Sequence, residues 1–231
     1  MAPWSTPQLR TRLLELFGAR MDPEEPRPVV MQTLLRHYER QGPRQIRHAQ
    51  GRPLQPSIAA ALTSCLRSLA WPLTTRERPT VQADKYFTLQ RPQTKFTAEG
   101  GAKARLNAAK LERYAELWEL VNDAIRSVDP QYADSFTGVA ITKGFRDSPH
   151  IDTENVGPFY GLSLGNFCGG GGIAVESGPH EVTVLDTFER FGKVDGRYPH
   201  WVTKYTGERY SVICYRTTGE VSPMGPAVCP V

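Results

Sequence analysis

Nowhere in the 231 residues does an uninterrupted apolar run approach the roughly 18 residues of a membrane span. The most apolar N-terminal segment is broken by Arg10, Arg12 and Glu15, so neither a transmembrane nor a secreted chain is expected. Cysteine is scarce. Cys65, Cys168, Cys214 and Cys229 form no C-x-x-C pair and no zinc-finger spacing, so they read as reduced thiols of an intracellular protein, and no structural zinc is expected. No internal repeat is visible. Apolar residues, by contrast, are not lacking: 39% hydrophobic residues with 20 glycines come to about 48%, the globular range, which excludes a disordered chain. The length allows one elaborated domain or two small ones, with enough chain to bury a core.

Acidic residues are few in the first half. Residues 1–110 carry 18 Lys+Arg against 8 Asp+Glu, and residues 111–231 carry 10 against 16, so the net charge of +4 hides a balance of +10 followed by −6. Most of the excess is arginine, with Arg36, Arg40, Arg44, Arg47 and Arg52 spaced along one helix end and the loop after it. Planar forks of donors suit phosphate oxygens. A solvated face is the plainer reading of the same run.

The pattern changes at about residue 105. Before it, Ser5-Thr6-Pro7 can cap a helix carrying Leu9, Leu13, Leu16 and Phe17 and stopped by Gly18. Two further helices are expected, from about Pro28 to Gln41 and from Ser57 to about Leu69, separated by proline-rich connections at 22–28, 43–56 and 72–79. Leu111, Tyr114, Ala115, Trp118, Val121, Asn122 and Ile125 then mark one face of a helix from about Asn107 to Ser127. From Phe136 the period becomes two. Strands are predicted at Gly138–Gly144, Phe159–Leu164, Gly172–Glu176, Glu181–Thr187, Trp201–Thr203 and Arg209–Arg216, with Gly169–Gly172 read as a hairpin turn. A supporting helix and six or more short strands predict an α+β chain: a basic helical region over 1–105, then a compact β-barrel or jelly roll over 106–231 with helices packed outside.

The chemistry concentrates in Gly144-Phe-Arg-Asp-Ser-Pro-His150-Ile-Asp152. On extended backbone, side chains two apart share a side, so His150 and Asp152 can reach one ion while Ile151 packs the other way. The third ligand must come from elsewhere. His180 follows Ser-Gly-Pro at what reads as a water-facing hairpin tip, whereas His200 leads into the apolar strand Val212–Tyr215 through Arg209 and Ser211. Two imidazoles and a carboxylate on one face of a metal are the arrangement of non-haem Fe(II) oxygenases. Period two puts Arg209 and Ser211 on one side of their strand with Ile213. If that side faces the barrel interior, the guanidinium needs an anion, and a cosubstrate carboxylate would supply it.

The order H-x-D, distal His, R-x-S resembles the Fe(II)/2-oxoglutarate-dependent dioxygenases of double-stranded β-helix fold. Arg146–Asp152, Gly157–Gly165 and Gly192–His200 resemble most the TET/JBP-type nucleic-acid oxygenases, nearest the algal 5-methylcytosine-modifying enzymes; the resemblance covers roughly 136–218. It implies that His150, Asp152 and His200 bind Fe(II), and that Arg209 and Ser211, with Tyr160, hold 2-oxoglutarate. The algal branch includes an enzyme using ascorbate, the alternative cosubstrate, which has no distal carboxylate for Arg209. The substrate implied is 5-methylcytosine in DNA, flipped out of the duplex and contacted by Lys143, Arg146, Asp147, Asn155 and Trp201. Phe159, Tyr160 and Trp201 are open between stacking on a base and packing in the core. The same chemistry on a methylated RNA base or a protein side chain, or a barrel that binds nucleic acid without turnover, are the alternative readings. A monomer in the nucleus or elsewhere inside the cell, with no membrane partner, is expected.

Overall fold

The computed structural model of the chain describes residues 5–17, 19–40, 45–72, 82–91, 101–178 and 181–231. Its helices are α1 (Thr6–Phe17), α2 (Arg27–Arg40), α3 (Pro56–Ser68), α4 (Ala102–Arg113), α5 (Ala115–Arg126) and α6 (Pro130–Ser135). Its strands are β1 (Gln45–Gln50), β2 (Arg52–Pro53), β3 (Lys85–Gln90), β4 (Gly138–Lys143), β5 (Asp147–His150) and β6 (Phe159–Cys168), followed by β7 (Ile173–Gly178), β8 (Glu181–Asp186), β9 (Arg190–Val194), β10 (His200–Val202), β11 (Thr206–Tyr215) and β12 (Val228–Cys229).

From β4 onward the chain passes between two sheets. One contains β9-β6-β11-β4 and the other β8-β7-β10-β5, with antiparallel neighbours throughout. Eight strands shared in this order between two facing sheets form the double-stranded β-helix, or jelly roll, that the strand pattern predicts. The first sheet is lengthened by β3 beside β4 and β12 beside β9, and the second by β1, parallel to β8.

Period two decides what each face of the first sheet holds. Tyr210, Val212 and Cys214 of β11 turn outward and bury against α3 and α5, whereas Arg209, Ser211 and Ile213 turn into the space between the sheets. The helix α5 answers with Leu117, Trp118, Val121, Ala124 and Ile125, one stripe at i, i+1, i+4, i+7 and i+8. Leu117, Val121 and Ile125 each contribute about 1.5–3 kcal/mol when fully buried, so the stripe fixes the outer layer. On the second sheet's outer side, α1 and α2 enclose their own cluster, in which Leu9, Leu13, Val30 and Leu34 surround Ile151.

Several expectations are corrected. The helix predicted over Asn107–Ser127 is two helices broken at Tyr114 (φ −115°, ψ 31°), because that ring stacks on Phe87 at 4.8 Å and its hydroxyl donates to Ala70 O at 2.9 Å. The connection predicted over 43–56 contains β1 and β2, so Arg47 and Arg52 lie on strands, and residues 1–105 are not purely helical. As an exposed edge strand, Gln45–Gln50 needs no apolar alternation and shows none. The run Gly169–Gly172 is no hairpin: it carries the chain from β6 in one sheet to β7 in the other, with φ of 74°, 138° and 83° at its first three glycines. Arg44, most of the 72–79 connection and the tip at His180 lie outside the described residues. Among those described, no helix is long and apolar enough to cross a membrane.

Candidate metal centre

The register of β5 against β10 sets His150 directly opposite His200, with ring centroids 4.2 Å apart. Two residues past His150, Asp152 returns to the same side. Its Oδ1 lies 3.7 Å from His150 Nε2 and its Oδ2 3.8 Å from His200 Nε2, and one donor atom of each residue lies within 4.8 Å of the others. Ile151 points the opposite way and is buried, as the spacing requires.

Each imidazole is oriented through its other nitrogen. His150 Nδ1 donates to Ser148 O at 2.6 Å and His200 Nδ1 to Tyr198 O at 3.0 Å. A carbonyl can only accept, so each ring carries a proton on Nδ1 and turns Nε2 toward the Asp152 carboxylate. Two imidazoles whose Nε2 atoms converge with one carboxylate, both rings held by backbone carbonyls, fit Fe(II) with positions left open for other ligands.

The loop ahead of β10 supports two members of this cluster, Asp152 and His200. Gly196 O accepts from Asp152 N at 2.8 Å, and a Cβ at Gly196 would stand 2.7 Å from the Phe159 ring and 2.9 Å from Asp152 Oδ2, so glycine is required by the close approach. On either side of it, Asp195 and Arg197 form a fully buried two-point ion pair (Nε–Oδ1 2.7 Å, Nη2–Oδ2 2.6 Å), and Arg197 Nη1 donates to Ser222 O at 2.7 Å. Truncating one partner of such a pair typically costs 3–5 kcal/mol. Sequence reasoning missed both residues; D-x-R carries no signal until the turn brings the side chains together.

Between the sheets lies a cavity of about 460 Å³, within the usual range of small-ligand sites, bordered by His150, Asp152 and His200 and by Arg209, Ser211 and Asn155. Arg209 is 2% exposed. Its Nε donates to Gly171 O at 3.0 Å, its Nη1 to Ser211 Oγ at 2.6 Å, and its guanidinium lies 5.5 Å from the centroids of both Phe167 and Tyr205. Burial pushes it down to about 10, so it stays charged at neutral pH, and no described carboxylate pairs with it. Opposite Ser211 across the strands, Thr142 borders the cavity with a buried hydroxyl that has no hydrogen-bond partner among the described residues. A buried cation and an unpaired hydroxyl on one cavity wall fit an anionic ligand. Thr142 was also missed, because cross-strand register decides its place.

The remaining predicted residues divide. Asn155 and Trp201 border the cavity, and the Asn155 amide donates to Asp152 Oδ2 at 3.2 Å. Tyr160 does not: period two turns it outward, where its ring meets Tyr132 edge-on and its hydroxyl donates to Asp129 Oδ2 at 2.8 Å. Lys143 is likewise on the outer side, 4.0 Å from Glu208 Oε2 and over the Tyr210 ring. Arg146 and Asp147 are exposed and outside the cavity wall, Arg146 lying over the Tyr205 ring. Of the three aromatics left open between pocket and core, Phe159 and Trp201 border the cavity and Tyr160 belongs to the core.

No family model matches the chain, and no curated protein does. Among solved structures, the chain is similar to NgTET1 in complex with 5mC DNA (TM-score 0.41, 14% identity, 73% of this chain and 71% of that one). It is also similar to an oxidoreductase of the 2OG-Fe(II) oxygenase family from Burkholderia pseudomallei (TM-score 0.36, 13% identity, 73% of this chain and 93% of that one).

Proposed function

We propose that the chain is a non-haem Fe(II) oxygenase that takes 2-oxoglutarate as cosubstrate and oxidises the methyl group of 5-methylcytosine in DNA. One observation carries the chemistry: the His150–Asp152–His200 cluster and the buried Arg209, which pairs with no described carboxylate, face the same cavity. His150, Asp152 and His200 would hold the iron, which supplies the oxidising power once cosubstrate and oxygen are bound. Arg209, Ser211 and Thr142 would hold the cosubstrate carboxylate. The backbone carbonyls of Ser148 and Tyr198 keep both Nδ1 protons in place, so the ligand nitrogens do not change tautomer. Apolar cavity walls from Phe159, Ile173 and Ile213 limit water around the reacting methyl.

The substrate assignment rests on the sequence motifs and the basic first half. Purified protein loaded with Fe(II) is given methylated DNA, methylated RNA and methylated peptide in separate reactions, with 2-oxoglutarate or ascorbate, and products are read by mass spectrometry. Oxidised cytosine with succinate release is the expected result. Turnover only on RNA or peptide overturns the substrate, and turnover with ascorbate alone overturns the cosubstrate. A protein that retains no iron and turns over nothing is a binding barrel.

A further inference from the structure

The metal ligand His150 sits on poorly secured backbone. Its strand β5 is four residues long, lies at the edge of its sheet, contains Pro149 and is bulged against β10. Asp147 and Ser148 adopt φ of 46° and 51°, a left-handed conformation that side chains other than glycine rarely take. Few ladder bonds and two strained residues do not fix a ligand to the tolerance a metal site needs.

Support comes from outside the barrel, from the first 40 residues. Ile151, between two ligands, is 4% exposed, and what buries it is Leu9 and Leu13 of α1 with Val30 and Leu34 of α2. A second tie reaches the other histidine. Glu176 on β7 is wholly buried, and Arg12 of α1 donates to its Oε1 at 2.8 Å. Its neighbour Val175 is the register partner of His200, and Glu176 N donates to Pro199 O at 2.9 Å, one residue before that ligand.

We infer that the α1–α2 hairpin is a positioning element of the metal centre, with Arg12 the residue that couples it to His200 and the Leu9–Leu13–Ile151 contact the part that couples it to His150 and Asp152. This assigns α1 and α2 a role in metal affinity and geometry, and it rests on the metal-centre reading above. Neither Arg12 nor the hairpin touches the cavity; they act through the backbone that carries the ligands.

The test uses cobalt(II) as probe, because its visible spectrum reports ligand geometry as well as affinity. Wild type, Arg12→Ala, Arg12→Lys and Leu13→Ala are titrated with cobalt(II), and the metal-free proteins are compared by circular dichroism. Arg12→Ala and Leu13→Ala are expected to bind at least about tenfold more weakly with an altered spectrum, the range seen when groups behind metal ligands are removed. Arg12→Lys should recover most of the loss. Arg12→Ala leaves Glu176 buried beside no cation; if it does not fold, Arg12→Met with Glu176→Gln, a neutral interface, takes its place and should show the same weakening. Wild-type affinity and spectrum in both hairpin variants, or in that double variant, overturn the inference. Wild-type protein that binds no cobalt(II), or binds it unaltered after His200→Ala, instead overturns the metal centre itself.

Discussion

Arg209 is a charge placed where a charge is costly. Two of its donors are satisfied by Gly171 O and Ser211 Oγ, and two aromatic faces flank it, yet no described carboxylate neutralises it. A charge-assisted pair in a site this dry is typically worth several kcal/mol when one member is truncated, at about 1.4 kcal/mol per tenfold. Arg209→Ala should therefore raise the half-saturating 2-oxoglutarate concentration by about two or more orders of magnitude in a succinate-release assay, with cobalt(II) affinity almost unchanged. Equal loss of both would show that the arginine builds the fold rather than the carboxylate site. Asn155 acts on the other side of the cavity, where its amide holds Asp152 Oδ2. Asn155→Ala is expected to weaken metal binding by about 10–100-fold, measured by the same titration, while leaving the half-saturating cosubstrate concentration in place. H-x-D and R-x-S were legible because each is a short spacing on extended backbone, and His200 because it leads toward the strand that carries Arg209. Tyr160 was misassigned because its side of the strand depends on phase, and Asp195, Arg197 and Thr142 were invisible because their meaning comes from contacts made across turns and strands.

Among the elements, those with a strong period were readable and those without one were not. The stripe of α5 and the alternation of β11 follow from burial on one face. β1 is exposed along most of its length, β5 is short and interrupted by proline, and β9 carries lysine and glycine in its middle, so none announces itself. The pairing of β5 with β10, on which the site depends, is a long-range property that no local pattern states. Between α1 and β7 lies a titratable contact with a measurable consequence. Burial pushes the Glu176 carboxyl up to about 7, against the opposing charge and hydrogen bond of Arg12. The folded protein thus holds a proton that the unfolded chain, near the ordinary value of 4.5, has already lost. Below about 4.5 both states are protonated and the group has no effect; between about 4.5 and 7 the unfolded state binds fewer protons, so stability falls as pH rises, then levels off. Glu176→Gln should remove this part of the decline, seen as a flatter curve of unfolding midpoint against pH for metal-free protein. A curve parallel to wild type across that window would mean that Arg12 keeps the carboxylate ionised.

For the molecule as a whole, the +10 balance of the first half is only partly available to a partner. Arg10 donates to Glu25 O, Arg12 to Glu176, Arg52 to Val128 O, and Arg91 to Asp134 O and Ala133 O, so these guanidinium groups serve internal carbonyls and a buried carboxylate. Arg36 is exposed on α2, and Arg47, although 2.6 Å from Glu181, keeps a side chain 63% exposed. An exposed ion pair of this kind is worth about 0–1 kcal/mol, so exchanging Glu181 for a phosphate costs little. On the proposed reading these exposed arginines contact the backbone of DNA whose base occupies the cavity, and each phosphate neutralised adds about 0.9 to the slope of log affinity against log salt. Arg36→Ala combined with Arg47→Ala should weaken binding to a methylated duplex and lower that slope by up to about 1.8. Arg146→Ala, beside the segment leading into His150, should lower it by up to about 0.9. Lys143→Ala should leave it unchanged, because that amine lies on the far side of the sheet between Glu208 and Tyr210. The measurement is a salt titration of duplex binding by fluorescence anisotropy for each variant. If Lys143→Ala lowers the slope as much as Arg146→Ala does, the DNA does not approach from the cavity mouth. If no variant moves it, these arginines only solvate the surface and the nucleic-acid substrate is the wrong one.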